Sequence, residues 1–284
     1  MIGGAVILVA LAFVALPYIA STRIVRDRIA WEMGAWSGYR VTIEGTPRIV
    51  VWPKFRAILS DVNMSEWAQT DGPPVIEADS VEVDLSAMAA LRGDVVFSAA
   101  RLIRPTLRVK PTAKGLFMPA MPSGGRIARS IDAARGLVAA NPTNPDASKL
   151  PSDPFGSVEI KDGRVVTSVK GKDTEILTSL NGKANWPALN GGAQLSATGI
   201  WHGESVSVDM ASAKPLLLFA GGAAPVTFSL KAAPAAFSFD GTAGLAQNAY
   251  LDGTVKFSAP SLRRVLEWSQ ASIAPGAPAG PVSV

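Results

Sequence analysis

From Gly38 to Trp52 the chain reads GYRVTIEGTPRIVVW, and apolar and polar residues alternate along it. Tyr39, Val41 and Ile43 fall on one side; Arg40, Thr42 and Glu44 fall on the other. A period of two belongs to an extended chain, because successive Cβ atoms point to opposite faces. A chain built from such segments folds into a sheet with one dry face and one wet face. Gly45, Thr46 and Pro47 interrupt the run and are expected to turn it back on itself. The alternation then returns almost to the end of the chain. It is carried by Val81, Val83 and Leu85, by Val158 and Ile160, and by Val206 and Val208. Val226, Phe228 and Leu230 repeat it, as do Phe237 with Phe239 and Val255 with Phe257.

Irregularities in the pattern predict local features. Ile58 and Leu59 are adjacent, which predicts a bulge. Ser86 to Gly93 reads as one or two helical turns with Ser86 as N-cap and Gly93 as C-cap. Asp162-Gly163 is a two-residue hairpin signal. Ser261 to Ser269 is expected to form a short amphipathic helix capped by Ser261 after Pro260. Residues from Lys110 to Pro154 are rich in Pro, Gly, Ser and Asn, as in a linker or insertion. Within it, RIARSIDAARGLVAA places Ile127, Ile131, Ala134 and Val138 on one helical face.

Ile2 to Ala20 contains nineteen residues and no charge. As a helix it extends roughly 28 Å, close to the hydrocarbon thickness of a bilayer. A cleaved signal peptide would carry a charged start and small residues before the cut, and Tyr18 sits three before Ser21. An uncleaved anchor is therefore the expectation. Arg23, Arg26 and Arg28 follow the span. Taken alone they place the rest of the chain in the cytoplasm, against the dilution by Asp27 and Glu32. Ile24 to Ala35 is expected to continue as an amphipathic helix at the membrane surface, with Trp31 and Trp36 at headgroup level.

Composition narrows the function. Hydrophobic residues make up 48% of the chain and charged ones 18%. Lys and Arg are scattered rather than clustered with aromatics, so no nucleic-acid partner is expected. The absence of Cys excludes disulfides, thiolate metal sites and Cys nucleophiles. His202 is the only histidine, at an expected turn beside Trp201 and Gly203, and it builds neither a metal cluster nor a triad alone. Glu44, Glu82, Asp84, Glu159 and Asp162 read as wet-face or turn carboxylates. No enzyme motif stands out, and no cofactor is expected. The apolar faces are the most informative chemistry. They either seal the core of a sandwich or barrel, or line an open trough beside the membrane, where acyl chains are the natural occupant.

Several motifs, in order, resemble the N-terminal region of the bacterial AsmA family. They are Gly38-Tyr39-Arg40-Val41, Trp52-Pro53, Asp61-Val62-Asn63-Met64, Leu91-Arg92-Gly93 and Arg101-Leu102-Ile103-Arg104-Pro105-Thr106-Leu107. Val158-Glu159-Ile160-Lys161-Asp162-Gly163 and Pro260-Ser261-Leu262-Arg263-Arg264 extend the resemblance over nearly the whole chain. The resemblance implies an inner-membrane anchor with the bulk of the chain in the periplasm, and a β-groove related to bridge-like lipid-transfer proteins. It implies a role in outer-membrane assembly, lipid homeostasis or the regulation of protein targeting to the membrane, and it brings no catalytic residues.

The expectation is thus a mainly β chain: an N-terminal transmembrane helix, then a long curved antiparallel β-sheet with an open, taco-like groove and a few short helices. Its expected segments are an anchor and juxtamembrane helix over 1–36, a first groove segment over 37–110 and a linker over 111–154. A second groove segment covers 155–270 and a truncated tail 271–284. The residues expected to line the groove are Val41, Ile43, Val81, Val83, Leu85, Val158, Ile160, Val206, Val208, Val226, Phe228, Leu230, Phe237, Phe239, Val255 and Phe257. The expected partners are membrane lipid acyl chains, the inner membrane and other envelope proteins. A membrane-tethered scaffold for protein assembly is the competing reading, and an anchored hydrolase a third.

Overall fold

The structure, a computed structural model, describes residues 23–50, 52, 54–68, 72–85, 97–109, 111–112, 115–116, 122–169, 172–245, 250–269 and 282–283. The anchor expected at Ile2–Ala20, the turns expected at Ser86–Gly93 and most of the tail lie outside these residues. Among the described residues, no helix is long and apolar enough to cross a membrane. Strands dominate, as the alternation requires. Two compact units divide the chain: residues up to Ala128 with Val158–Lys161, and Arg129–Ser157 with Asp162 onward.

The first unit contains α1 (Arg23–Ser37), β1 (Arg40–Ile43), β2 (Arg48–Val50), β3 (Arg56–Ser65), β4 (Ile76–Leu85), β5 (Phe97–Ile103) and β6 (Thr106–Val109), followed by the two-residue strands β7 (Pro111–Thr112) and β8 (Gly115–Leu116). Gly45 to Pro47 do not reverse the chain. Both β1 and β2 pair antiparallel with β3, Ile43 opposite Val62 and Arg48 opposite Ile58. The expected turn is instead a step within a broken strand. Glu44 N–H donates to the Asp61 carbonyl at 3.2 Å, and a Cβ on Gly45 would lie 2.9 Å from Ser60 Cβ. Glycine allows this close approach. Asp61 has φ 53°, in the left-handed region that Asp tolerates. Ala57 and Leu59 are buried before it, and Val62 and Met64 after it, so the phase of the strand changes there. The irregularity expected at Ile58–Leu59 thus falls two residues later.

The dry face of this unit is closed. Ile29 of α1 is fully buried with Ile43, Leu59, Val62, Val81 and Val83, and Ala30 and Met33 pack against the same cluster. Helix α1 therefore spends its apolar stripe on the sheet. Trp31 remains 56% exposed. Trp36 is half-buried, with the Arg126 guanidinium 5.0 Å from its ring centre. The buried carboxylate of Glu32 is held by Arg28 at 3.3 Å and Arg126 at 3.8 Å.

Helix α2 (Arg126–Ala140) occupies the helix expected inside the Pro- and Gly-rich segment. The second unit is a meander of β9 (Pro154–Val169), apart from its residues Val158–Lys161, which belong to the first unit, then β10 (Lys172–Ala188), β11 (Ala193–Trp201), β12 (Glu204–Ser212), β13 (Ala224–Ala232), β14 (Ala236–Gly244) and β15 (Tyr250–Ala259). Helix α3 (Pro215–Ala220) joins β12 to β13, and α4 (Leu262–Trp268) follows β15. The short β16 (Val282–Ser283) pairs with the last residues of β15. Ser261 caps α4 as expected, its hydroxyl accepting from Arg264 N–H.

The hairpin expected at Asp162-Gly163 is absent, because β9 runs through it as one 16-residue strand. A two-residue hairpin of this kind requires positive φ at both residues. Asp162 has φ 53°, but Gly163 is not in that region. The result is a local irregularity, with Asp162 N–H donated to Asn181 Oδ1 at 3.1 Å. Asp162→Val should therefore cost about 1–2 kcal/mol in denaturant melting, because a β-branched residue resists the left-handed region. Asp162→Asn should melt like the parent protein.

Candidate functional site

On the wet face of the first unit, cross-strand charges form a ladder. Arg56 on β3 meets Glu82 at 2.7 Å and Asp84 at 2.5 Å on β4. Arg101 on β5 meets Glu82 at 3.0 Å and Glu159 at 2.9 Å. Register produces this, since Arg56 lies opposite Asp84 and Glu82 opposite Arg101. The hydrogen bond to Asp84 raises the Arg56 guanidinium above its ordinary value, and that to Glu159 does the same for Arg101. Glu82, Asp84 and Glu159 are thus engaged in ion pairs. Among the described residues, no group of His, Asp and Glu is arranged to hold a metal ion.

On the dry face of these strands, Val81 is 0% exposed, Val83 1% and Ile43 6%. They offer no surface to a guest; they are core under α1, and Val41 and Leu85 are half-buried against that core. Val158 and Ile160 on β9 are half-buried. The sequence shows which face of these strands is apolar, but not that a helix folds onto it.

In the second unit, register gathers the expected residues. Val208 lies opposite Leu230 and Met210 opposite Phe228. Phe228 lies opposite Phe239 and Leu230 opposite Phe237. Phe237 lies opposite Phe257 and Phe239 opposite Val255. Directly opposed residues share a face. Val206, Val208, Val226, Phe228, Leu230, Phe237, Phe239, Val255 and Phe257 therefore form one apolar surface. The rings of Phe228 and Phe237 are 5.9 Å apart on it. Leu195, Met210 and Leu251 join it through Leu195 opposite Met210 and Ala243 opposite Leu251. Met210 continues the alternation of Val206 and Val208, and Leu251 is in phase with Val255 and Phe257; pairing register is what places all three on this surface.

This surface is closed at its ends and open in its middle. Leu216, Leu217 and Leu218 of α3 are buried, as are Ala224, Val226 and Ala243 at the adjoining strand ends. At the other end, the Trp268 ring of α4 stands edge-on to Trp201 at 4.6 Å, and its Nε1–H donates to the Trp201 carbonyl at 2.9 Å. Between them, Val208, Met210, Phe228, Leu230, Phe237 and Phe257 are only half-buried. Val255 is 47% exposed and Leu251 65%.

A hollow of about 500 Å³ lies over β10–β13, but on the opposite side of the sheet. Lys183, Asn185, Gln194, Ser196, Asp209 and Thr227 border it. Register places Lys183 beside Ser196 and Asp209 beside Ser196, in the polar row. Strand β10 is irregular between Thr178 and Asn181, where Ser179 has φ 50°.

His202 sits with Gly203 in the turn joining β11 to β12, with φ 47° and 80° respectively, as a tight hairpin needs. Its Nδ1 is 2.7 Å from the Trp268 carbonyl, which only accepts, so the proton is on Nδ1. The lone histidine fastens α4 to the hairpin. No family model matches the chain, nor does any curated protein or solved structure.

Proposed function

We propose that this protein handles lipid acyl chains on the open apolar face of its second unit, as an AsmA-like protein tethered to the inner membrane by Ile2–Ala20 with its bulk in the periplasm. The observation that carries the reading is the shared face of Val208, Phe228, Leu230, Phe237 and Phe257, each still half-buried after folding. Covering apolar surface is favourable by about 25 cal/mol per Å². An acyl chain laid along Phe228 and Phe237 gains about 0.8 kcal/mol for each CH₂ it buries there. The resemblance to the AsmA family and the apolar segment preceding α1 support a lipid rather than a soluble ligand.

Photo-crosslinking side chains at Val208 and Phe228 test this in intact membranes. Lipid adducts are expected at both positions and none at Val83, which is buried in the other unit. Equal labelling at all three positions, or adducts to protein alone, would remove the reading, and the second outcome would favour a scaffold. A sidedness reporter fused after Val284 checks the periplasmic placement independently.

A further inference from the structure

The two ends of the apolar face are closed in different ways. At one end α3 is packed in: Leu216 is 0% exposed, and Leu217 and Leu218 are 1% each. At the other end lies α4, and none of its residues is buried. Leu262, Val265 and Leu266 recur at helical spacing, so they share one side of α4, and all three are half-buried. The helix follows β15 and reaches the β11–β12 hairpin, where three residues hold it. The Trp268 ring stands against Trp201, the His202 ring donates to the Trp268 carbonyl, and Arg264 meets Glu204 at 2.8 Å. Trp201 lies opposite Glu204, and Gly199 opposite Val206 in the next row. The pairing of β11 with β12 is unbroken from Leu195 to Trp201, so the Trp201 and Glu204 contacts are made on the apolar face itself. Beside them Val206 is 7% exposed, whereas Val208, one row further in, is half-buried.

We propose that α4 is a flap at the entrance of the apolar face, where acyl chains pass on and off, and that α3 is the fixed stop at the far end. The proposal rests on the lipid reading given above and adds where the lipid enters. An element without a fully buried side chain opens by local unfolding well before one sealed by three buried leucines. The Arg264 side of the ion pair is 55% exposed, so that pair fastens α4 weakly and the Trp268 ring is the main hold. Pro260 and the extended Ser261 separate the helix from β15, so α4 can swing about them while the strand stays paired with β14. With Trp268 withdrawn, Trp201 and Val206 join Val208 on the open surface, and no strand pairing has to break.

Amide hydrogen exchange of the full chain in phosphatidylglycerol vesicles reads the opening directly. The amides of Val265 and Ser269, bonded within α4, are expected to exchange about tenfold faster or more than those of Leu218 and Gly222 at α3. The chain contains no Cys, so the flap can also be locked. Glu204→Cys with Arg264→Cys, joined by a short bis-maleimide, ties α4 to the hairpin. Tritiated phosphatidylglycerol added after locking should reach a photo-crosslinker at Phe228 about tenfold more slowly than in the parent. Either cysteine alone, treated with the same reagent, should not slow it. Capture at the parent rate after locking overturns the entrance, and equal exchange at α3 and α4 overturns the flap. A parent chain that captures no lipid at Phe228 sinks the lipid reading and the entrance with it, and faster exchange in α4 would then stand as a property of the helix alone.

Discussion

Val83→Asp is expected to abolish cooperative unfolding of the first unit. Val83 is 1% exposed, and its cross-strand neighbours are Ala57 on β3 and Ala100 on β5. Neither side chain can donate a hydrogen bond to a carboxylate. A carboxyl placed there is either buried unpaired or draws water into the cluster under α1. Either outcome costs about 4 kcal/mol or more, a large share of the stability of a domain of this size. The neighbouring Glu82→Ala provides the contrast. It removes a carboxylate that meets both Arg56 and Arg101, yet its side chain retains 23% of its exposure. A partly solvated pair is worth about 1 kcal/mol or less. Thermal melting followed by circular dichroism and tryptophan fluorescence should show V83D without its first-unit transition and E82A close to the parent. A V83D protein that melts like the parent would mean that the dry face of β4 is not closed.

The second large effect is expected at Gly241. It lies on β14 directly opposite Gly253 on β15. A Cβ on Gly241 would stand 2.6 Å from Gly253 Cα and press on the Asp252 carbonyl; one on Gly253 would press on Gly241 and the Asp240 carbonyl in turn. The obstacle is backbone, which cannot rotate away as a side chain tip does. Gly241→Val should therefore cost about 3 kcal/mol and separate β14 from β15 locally. The amides of β15 that hydrogen-bond to β14 should lose protection from hydrogen exchange, while β10–β12 keep theirs. Because Val255 and Phe257 reach the apolar face only through that pairing, lipid crosslinking at Phe228 should also fall. Unaltered protection across Tyr250–Phe257 would show that the close approach of the two glycines is not required.

Much of this molecule can be read from residue order. The alternation of Val226, Phe228 and Leu230 against Thr227 and Ser229 identifies a strand and both of its faces without any knowledge of pairing. The helix from Arg126 and the Ser261 cap are legible for the same reason: spacing and capping are local. Local signals fail where one backbone angle decides the outcome. Asp162-Gly163 has the composition of a hairpin, yet only Asp162 enters the left-handed region, so the strand continues. Gly45 to Pro47 has the composition of a reversal, yet β3 is long enough to pair with the chain on both sides of it.

Residue order is enough to make this chain mainly strands with one apolar and one polar face, because side-chain direction alternates with every residue. The fate of each apolar face is a matter of packing. In the first unit α1 folds onto it and makes Val81 and Val83 core; in the second, α3 and α4 cover the ends and leave Phe228 and Phe237 partly open. Burial depends on which element arrives from elsewhere in the chain, and a two-residue period does not contain that.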